Sequence, residues 1–578
     1  MPLFLSDAER ALVLEQRSAA PLNRFWWLLL RRVTKRAATP GLIGDNTTVE
    51  WWHAAQEYIT DAAMVYAVQP DDTIGRWLRD AALSVARRSL DDWIGPWFRD
   101  HASRPPQGHL ETAHLSVAVA AALDLAPDLF NASESHDLRA ALREMAIPLC
   151  TSWLDRARTF NNWRCVLAAG LTAAAVVVDD AAAIERAVRE YGICSQAFMP
   201  DGSYSESLQY SGYAAMALML SYESLVRHTP SLASTISPAA PGRSVRWIAH
   251  SLFYLKPLSG WGEYWRPRAA NFNDSTAMFR PSGDWLMHIA ARLRGDMPTE
   301  AGLARWLFDT LYGPDVATKP VDRMTFGFIN GFGFLTIPLL PHAAAPISPE
   351  QARLGTVARY GNGDAFARQT WKSRTILAAR TASDLLPGPA HLHGDINSFI
   401  LVHNNERLLL DPGHTCYRNL SRELDISSIS HNTCTFTLET EEAARRPEDP
   451  HGAAVLQQSI VCRRTIENGK LGPLVDRGGR FLLAAENGPV KVIGSDAAGL
   501  YGSPITCFLR FWLLLGEHAL FIVDHITSQR PVRATWNWLL NNRDGLLDLK
   551  IVPPDRLVAR RGAAGLKLFH LAGGALQG

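Results

Sequence analysis

The chain has 578 residues, with 58 Lys and Arg against 57 Asp and Glu for a formal charge of +1, and it is 47% hydrophobic and 20% charged. Those balances exclude a disordered chain and a global basic field able to collect nucleic acid or an anionic membrane, so a polyanion would have to be held by local charge. The length allows three or four ordinary domains or two large ones, and the pattern along the chain predicts two large ones.

The opening "MPLFLSDAERALVLEQR" lacks the basic, apolar and small-residue regions of a signal peptide. This predicts a cytoplasmic protein, or a periplasmic or secreted one whose leader has been removed. No run reaches the ~20 apolar residues of a membrane span. Phe25 to Leu30 comes nearest and is short and bracketed by arginines. Seven cysteines, odd in number and without a CxxC pair, point to neither a disulfide framework nor a cysteine zinc finger. Before about residue 315, alanine- and leucine-rich segments such as "TAHLSVAVAAALDLA" from Thr112 and "CVLAAGLTAAAVVV" from Cys165 carry helical spacing. This half reads as α-helical throughout, an array or toroid of antiparallel helix pairs. From Met324, "MTFGFINGFGFLTI", "SFILVHNNERLLLDPG", "NTCTFTLET" and "RFWLLLGEHALFIVDHI" are strand-like runs broken by turn residues. "VHNNERLL" and "LLLGEHALFIV" predict hairpins turning at Asn404-Asn405 and Gly516-Glu517. The second half is therefore expected to be an antiparallel β domain, divided from the first near Tyr312 to Pro320.

Three local clusters could carry chemistry. "HLHGDINSF" spaces His391, His393 and Asp395 two apart, which on a strand would put all three on one face. With Asp411 in "LLLDPG" and His431 in "SHNT" they could make a zinc-type site of imidazoles and a carboxylate, or they are surface and turn residues. "FNNWRC" sets Asn161 and Asn162 before an apolar helix, where asparagines also serve as N-caps. "PDGSYSESLQYSGYAA" gathers Tyr204, Glu206, Tyr210 and Tyr213 at the start of another helix, where Tyr210 and Tyr213 could equally be a partly buried aromatic pair.

In this order, with "GEYWRP" and "NFNDS" between them, the motifs NNW, DGxxxExxxYxxY, HxHxDxxSF, DPGxxxY and HNT resemble the heparinase II/III superfamily of polysaccharide lyases. The resemblance implies an α+β multidomain protein, with an (α/α) toroid over residues 1–318 and an antiparallel β-sandwich over 319–578. It implies β-elimination on a uronic-acid-containing polysaccharide, glycosaminoglycans first and alginate second. Nucleic acid and membrane are not expected partners, and the oligomeric state is left open. By motif position Asn162 matches the family's carboxylate-binding asparagine, Tyr210 its catalytic tyrosine, His391 its catalytic histidine and Tyr417 a β-domain tyrosine at the substrate. His393, Asp411 and His431 match its metal ligands, for zinc with manganese open. Arg164, Glu206 and Tyr213 are expected as supporting substrate-side residues, and Trp261 and Trp265 as cleft aromatics. Trp163 stands where many members carry a histidine, which narrows the general base to Tyr210 or His391. The competing readings are a metal-assisted hydrolase, a glycosidase using Glu206 and Asp274 as paired carboxylates, and a non-catalytic sugar-binding protein.

Overall fold

The computed structural model describes residues 3–39, 43–44, 51–258, 263–314, 316, 332–414, 421–438, 454–463, 465–467 and 469–571. Four helices form the interior of the first half: α1 (Trp51–Val68), α2 (Leu110–Leu125), α3 (Asn162–Val178) and α4 (Leu208–His228). They are apolar on nearly every face, the pattern of a helix packed on all sides. Each packs on the next in chain order. The approach of α2 to α3 depends on Gly170, where a Cβ would lie 2.5 Å from the Cα of Ala113. Amphipathic helices such as Asp72–Ala86 and Ala181–Ser195 cover this interior from outside.

His53, His114 and Tyr213 lie near the starts of α1, α2 and α4, and their rings meet, with centroids 4.4 Å apart for His53 and His114 and 5.9 Å for His114 and Tyr213. These helices therefore begin at one common end. The helical half meets the sheet-rich half through hydrogen bonds from Trp247 Nε1 to Asp364 (2.9 Å) and from the Thr465 amide to the Arg158 carbonyl (2.7 Å).

Buried histidines make the helical half sensitive to acid. Burial pushes His114 down to about 3, and burial with a nearby arginine pushes His109 and His250 down to about 4. An unfolded chain protonates them near pH ~6.5, so below that pH it binds more protons than the folded one. The stabilisation is complete above pH ~6.5 and falls as the pH drops, by up to about 1.4 kcal/mol per pH unit for each histidine. Tm is expected to fall between pH 7 and pH 5, and His114→Gln to flatten that dependence; a flat profile in the unaltered chain would contradict the assignment.

The second half is built on antiparallel sheets. One orders five strands as Val357–Arg359, Asp364–Arg368, Thr375–Arg380, Ser398–His403 and Glu406–Leu409. Another orders four as Arg480–Asn487, Val490–Asp496, Ile505–Leu515 and Ala519–Ser528. They share an apolar cluster of Ala365, Leu377 and Phe399 with Ile493, Trp512 and Leu514. Both expected hairpins form. Asn404 and Asn405 hold positive φ of 49° and 57° between the paired His403 and Glu406, the geometry of a two-residue type I′ turn. Gly516 has φ of 56° in the loop between Leu515 and Ala519.

Three expectations need correction. The strand expected through "GFGFLTI" is instead a short helix at Thr336–Leu339. Buried Asp284 takes the amides of Gly333, Leu335 and Thr336 at 2.8, 3.2 and 2.8 Å, which curls this segment, and Pro338 cannot donate to a strand ladder. Leu335, Ile337 and Leu339 are buried in the helical half's core. Residues 317–331, where the 318/319 division falls, lie outside the described residues. The first half is also not helical throughout, since Leu252–Lys256 pairs antiparallel with Arg266–Ala269. Pro257 and Pro267 disfavour a helix continuing there. Lastly, His391, His393 and Asp395 do not share one strand face. The strand stops at Leu392, and His391 itself has φ of 59°. Asp395 turns away towards Arg380 (3.5 Å) and Arg477 (3.9 Å).

Candidate active site

A chain of polar contacts crosses from the helical half to the sheet-rich half, and Glu206 is its helical end. Its carboxylate is fully buried just before α4. It accepts from the Asn162 amide (2.7 Å), from Asn162 Nδ2 (2.8 Å) and from the Tyr204 hydroxyl (2.9 Å). Burial pushes its pKa up, opposed by His391 and these donors. Asn161 occupies the N-cap position of α3 without a side-chain capping bond, and Asn162 Oδ1 is buried with no hydrogen-bond partner. The second asparagine is thus turned towards the cluster instead of the helix end.

His391 links the two halves. Its Nε2 lies 3.4 Å from Glu206 Oε2 and its Nδ1 lies 2.8 Å from Asp274 Oδ2. Asp274 also takes His393 Nε2 at 2.8 Å and is contacted by Arg422. Desolvation would raise Asp274, but the bonds and charges of His391 and His393 outweigh it and hold this carboxyl far below its usual range. An ionised carboxylate can only accept, so the facing Nδ1 of His391 carries hydrogen. On its face this imidazole carries Tyr210: the rings are parallel within 8° at 3.8 Å between centroids, and Tyr210 is 4% exposed.

The "NFNDS" run holds this arrangement together. Asn273, at φ of 60°, accepts the His393 amide at 2.9 Å, and Asn271 Nδ2 donates to the Asp411 carbonyl at 2.9 Å. Ser207 donates to the Asp274 carbonyl at 2.8 Å, which fixes the start of α4 against the same stretch. The dense asparagine and aspartate content of this run was the available signal for its importance. The pairing of Glu206 and Asp274 as glycosidase acids does not fit, because they face opposite nitrogens of one imidazole and are buried, rather than flanking an open cleft.

His431 Nδ1 lies 2.9 Å from Asp411 Oδ2, and its Nε2 lies 2.9 Å from the Asp425 carbonyl. Burial opposes protonation of His431, but Asp411 and the other acceptors raise its pKa overall. The rings of His393 and His431 are 5.5 Å apart, and His393 Nδ1 is buried without a hydrogen-bond partner. Among the described residues, no group of three or more His, Cys, Asp or Glu side chains is disposed to hold a metal ion.

Other expected residues lie elsewhere. Arg164 is fully buried, with Nε and an Nη each 2.8 Å from the Glu190 carboxylate, so it is a structural ion pair and not available to Tyr210 or to substrate. Helical geometry explains this, because Arg164 is two residues from Asn162 and projects from another side of α3. Tyr213 points into the helical interior, where its hydroxyl meets His114 Nε2 at 2.6 Å. Trp265 is 45% exposed and its backbone pairs with Val316. Tyr417 and Trp261 lie outside the described residues.

Residues 369–546 match the family model described as heparinase II/III-like, C-terminal, and residues 52–243 match the alginate lyase model. Among solved structures, heparinase III aligns with a TM-score of 0.55 at 12% identity, over 90% of this chain and 71% of that one. A Streptomyces coelicolor A3 chondroitin AC lyase in complex with chondroitin sulphate aligns with a TM-score of 0.53 at 14% identity, over 97% and 74%. A heparan sulfate lyase mutant from Pedobacter heparinus gives 0.50 at 13%, over 92% and 75%. At such identities these likenesses show the fold. No curated protein matches the chain by sequence. The two family matches fall on the two sides of the cluster, Asn162, Glu206 and Tyr210 in one and His391 and His393 in the other, and the chain is a heparinase II/III-like polysaccharide lyase.

Proposed function

We propose that this lyase cleaves a uronic-acid-containing polysaccharide, a glycosaminoglycan first and alginate second, in a cleft between an (α/α) toroid and an antiparallel β-sandwich that divide near residue 318. The observation that carries this reading is the stack of Tyr210 on a histidine wired to two acids, beside an asparagine whose amide oxygen is buried and unpartnered. The named substrates of the structural relatives, heparan sulfate and chondroitin sulphate, are polymers of this acidic class.

In the reaction, the proton on C5 of the uronate leaves to a base, its electron pair forms the C4–C5 double bond, and the C4–O4 bond breaks with a proton going to O4. The C5 proton lies α to a carboxylate, so charge that builds on that carboxylate must be met by a donor. Asn162 serves that role: turning its amide by 180° presents Nδ2 to substrate and Oδ1 to Glu206. The raised pKa of Glu206 suits it to donate a hydrogen bond to Oδ1 in that arrangement. Tyr210 takes the proton from C5 and returns one to O4. A tyrosine does this only as its anion, which a donor or cation at the hydroxyl would favour, and the parallel stack on His391 fixes where the ring stands. His391, 13% exposed at its side chain with both nitrogens on acids, orients and supports Tyr210. Tyr417 is proposed to complete the sheet side at the substrate.

His393, Asp411 and His431 are proposed to hold a divalent cation, zinc first and manganese second. Two imidazoles and a carboxylate are suitable donors, and the buried, unpartnered Nδ1 of His393 supports the assignment. When bound, the cation would supply fixed positive charge that organises the sheet-side wall. His393→Ala is expected to lower metal content and Tm together, since an ion held only by the folded chain stabilises it. Elemental analysis showing full occupancy in that variant would remove His393 from the ligand set.

The function is tested with a panel of heparan sulfate, chondroitin sulfate, hyaluronan and alginate, followed by ultraviolet absorbance. Elimination creates an unsaturated uronate chromophore that hydrolysis does not. Reducing ends appearing without absorbance would turn the reading into a hydrolase.

A further inference from the structure

We propose that a cationic pocket on the Leu22–Ala37 helix is a second binding site for acidic polysaccharide, engaging a stretch of the polymer away from the bond that is cleaved. This rests on the reading of the chain as a lyase of uronate polymers. The pocket has a volume of about 780 Å³. Its wall is one face of the helix, on which Trp27, Arg31 and Lys35 recur at the four-residue spacing of helical neighbours. Arg32 and Arg36 widen the same wall. Asp61 is the acid among the described lining residues, and Arg32 already holds it at 2.8 Å. Arg31 and Lys35 have no acidic partner among the described residues.

In a chain of net charge +1, this is a concentrated local field of the kind that gathers an anionic ligand. The ligand chemistry follows from the side chains. Guanidinium groups grip carboxylate or sulfate with paired donors. Trp27 is 54% exposed, with Arg31 5.0 Å from its ring centroid, and Tyr264 is 43% exposed, so flat apolar faces stand beside the cations. An acidic sugar presents both a ring face and an anionic group to such a wall. The absence of a wider basic field disfavours nucleic acid, whose backbone needs many such contacts. The pocket also connects to the reaction centre. From Tyr264 the chain runs through the strand Arg266–Ala269 to Asp274, so the two sites can be no more than about 35 Å apart. One extended polymer can reach both.

The test uses the full chain carrying Tyr210→Phe, so that the polymer is not consumed, and measures binding by titration calorimetry at a fixed salt concentration. The probes are heparan sulfate, alginate and a DNA duplex. Arg31→Glu with Lys35→Glu, and separately Trp27→Ala, are each expected to weaken the polysaccharide that binds by about fivefold or more. Arg560→Glu with Lys567→Glu makes the same charge change on an exposed hairpin and is expected to leave affinity unaltered. The proposal is overturned if the pocket variants bind normally, if the hairpin pair loses as much affinity, if DNA binds as tightly as the polysaccharide, or if neither polysaccharide binds. Failure of the lyase reading is seen separately, as no unsaturated product from the unaltered chain on any polymer, and leaves the binding comparison intact.

Discussion

Tyr210→Phe is expected to lower turnover by about 10² to 10⁴ while KM and Tm stay near those of the unaltered chain. The ring is 4% exposed and lies 3.8 Å from His391, and phenylalanine keeps both the burial and the stacking. What disappears is the hydroxyl that moves the proton. Tyr213→Phe, one helical turn further on, should behave in the opposite way. Its hydroxyl sits on His114 Nε2 at 2.6 Å inside the helical core, so losing it takes one hydrogen-bond partner from a buried imidazole. That costs about 1–3 kcal/mol of stability and leaves turnover close to normal. Continuous ultraviolet assays and thermal melts on the two variants separate these effects. Normal turnover in Tyr210→Phe with an inactive Tyr213→Phe would place the reactive tyrosine one turn along α4. Two active variants would take tyrosine out of the chemistry.

The parts of this molecule that were legible in its sequence are those where local chemistry decides the conformation. Alanine-rich α2 and α3 are apolar all round and could only be interior helices. Asn404-Asn405 could turn a hairpin because asparagine tolerates positive φ. Legibility failed where a distant side chain decides. "GFGFLTI" alternates like a strand, yet Asp284, some fifty residues earlier, binds its amides and curls it into a helix. Arg164 lies two residues from Asn162, but Glu190 from another helix claims it. The reactive cluster was half visible. Asn162, Glu206, Tyr210, His391 and His393 could be picked out by motif, and they do come together. In the sequence, Asp274 stands out only as a possible glycosidase acid. Its position between two histidines and an arginine depends on a tertiary approach that no local pattern encodes.

Asn162→Ala is expected to lower kcat/KM by about 10² to 10³, the loss that follows removal of one donor to a developing anion. Structural damage should be small enough to tell apart. The Asn162 backbone amide still donates to Glu206 Oε1 at 2.7 Å, and Tyr204 still donates at 2.9 Å, so the carboxyl keeps two of its three donors from these residues. A stability loss of about 1–2 kcal/mol is the expected scale for the bond that goes. Asn162→Asp sharpens the test. It is nearly isosteric, but at neutral pH it sets a carboxylate against the uronate carboxylate. If Asn162 neutralises the substrate, the aspartate should be slower than the alanine despite its better fit, and it should regain activity as the pH falls and its carboxyl is protonated. An aspartate variant faster than the alanine at neutral pH would mean that residue 162 fills space and does not meet charge. Near-normal kcat/KM in Asn162→Ala would move the neutralising role to another donor at the cluster, with Arg422, already on Asp274, the cation to test next.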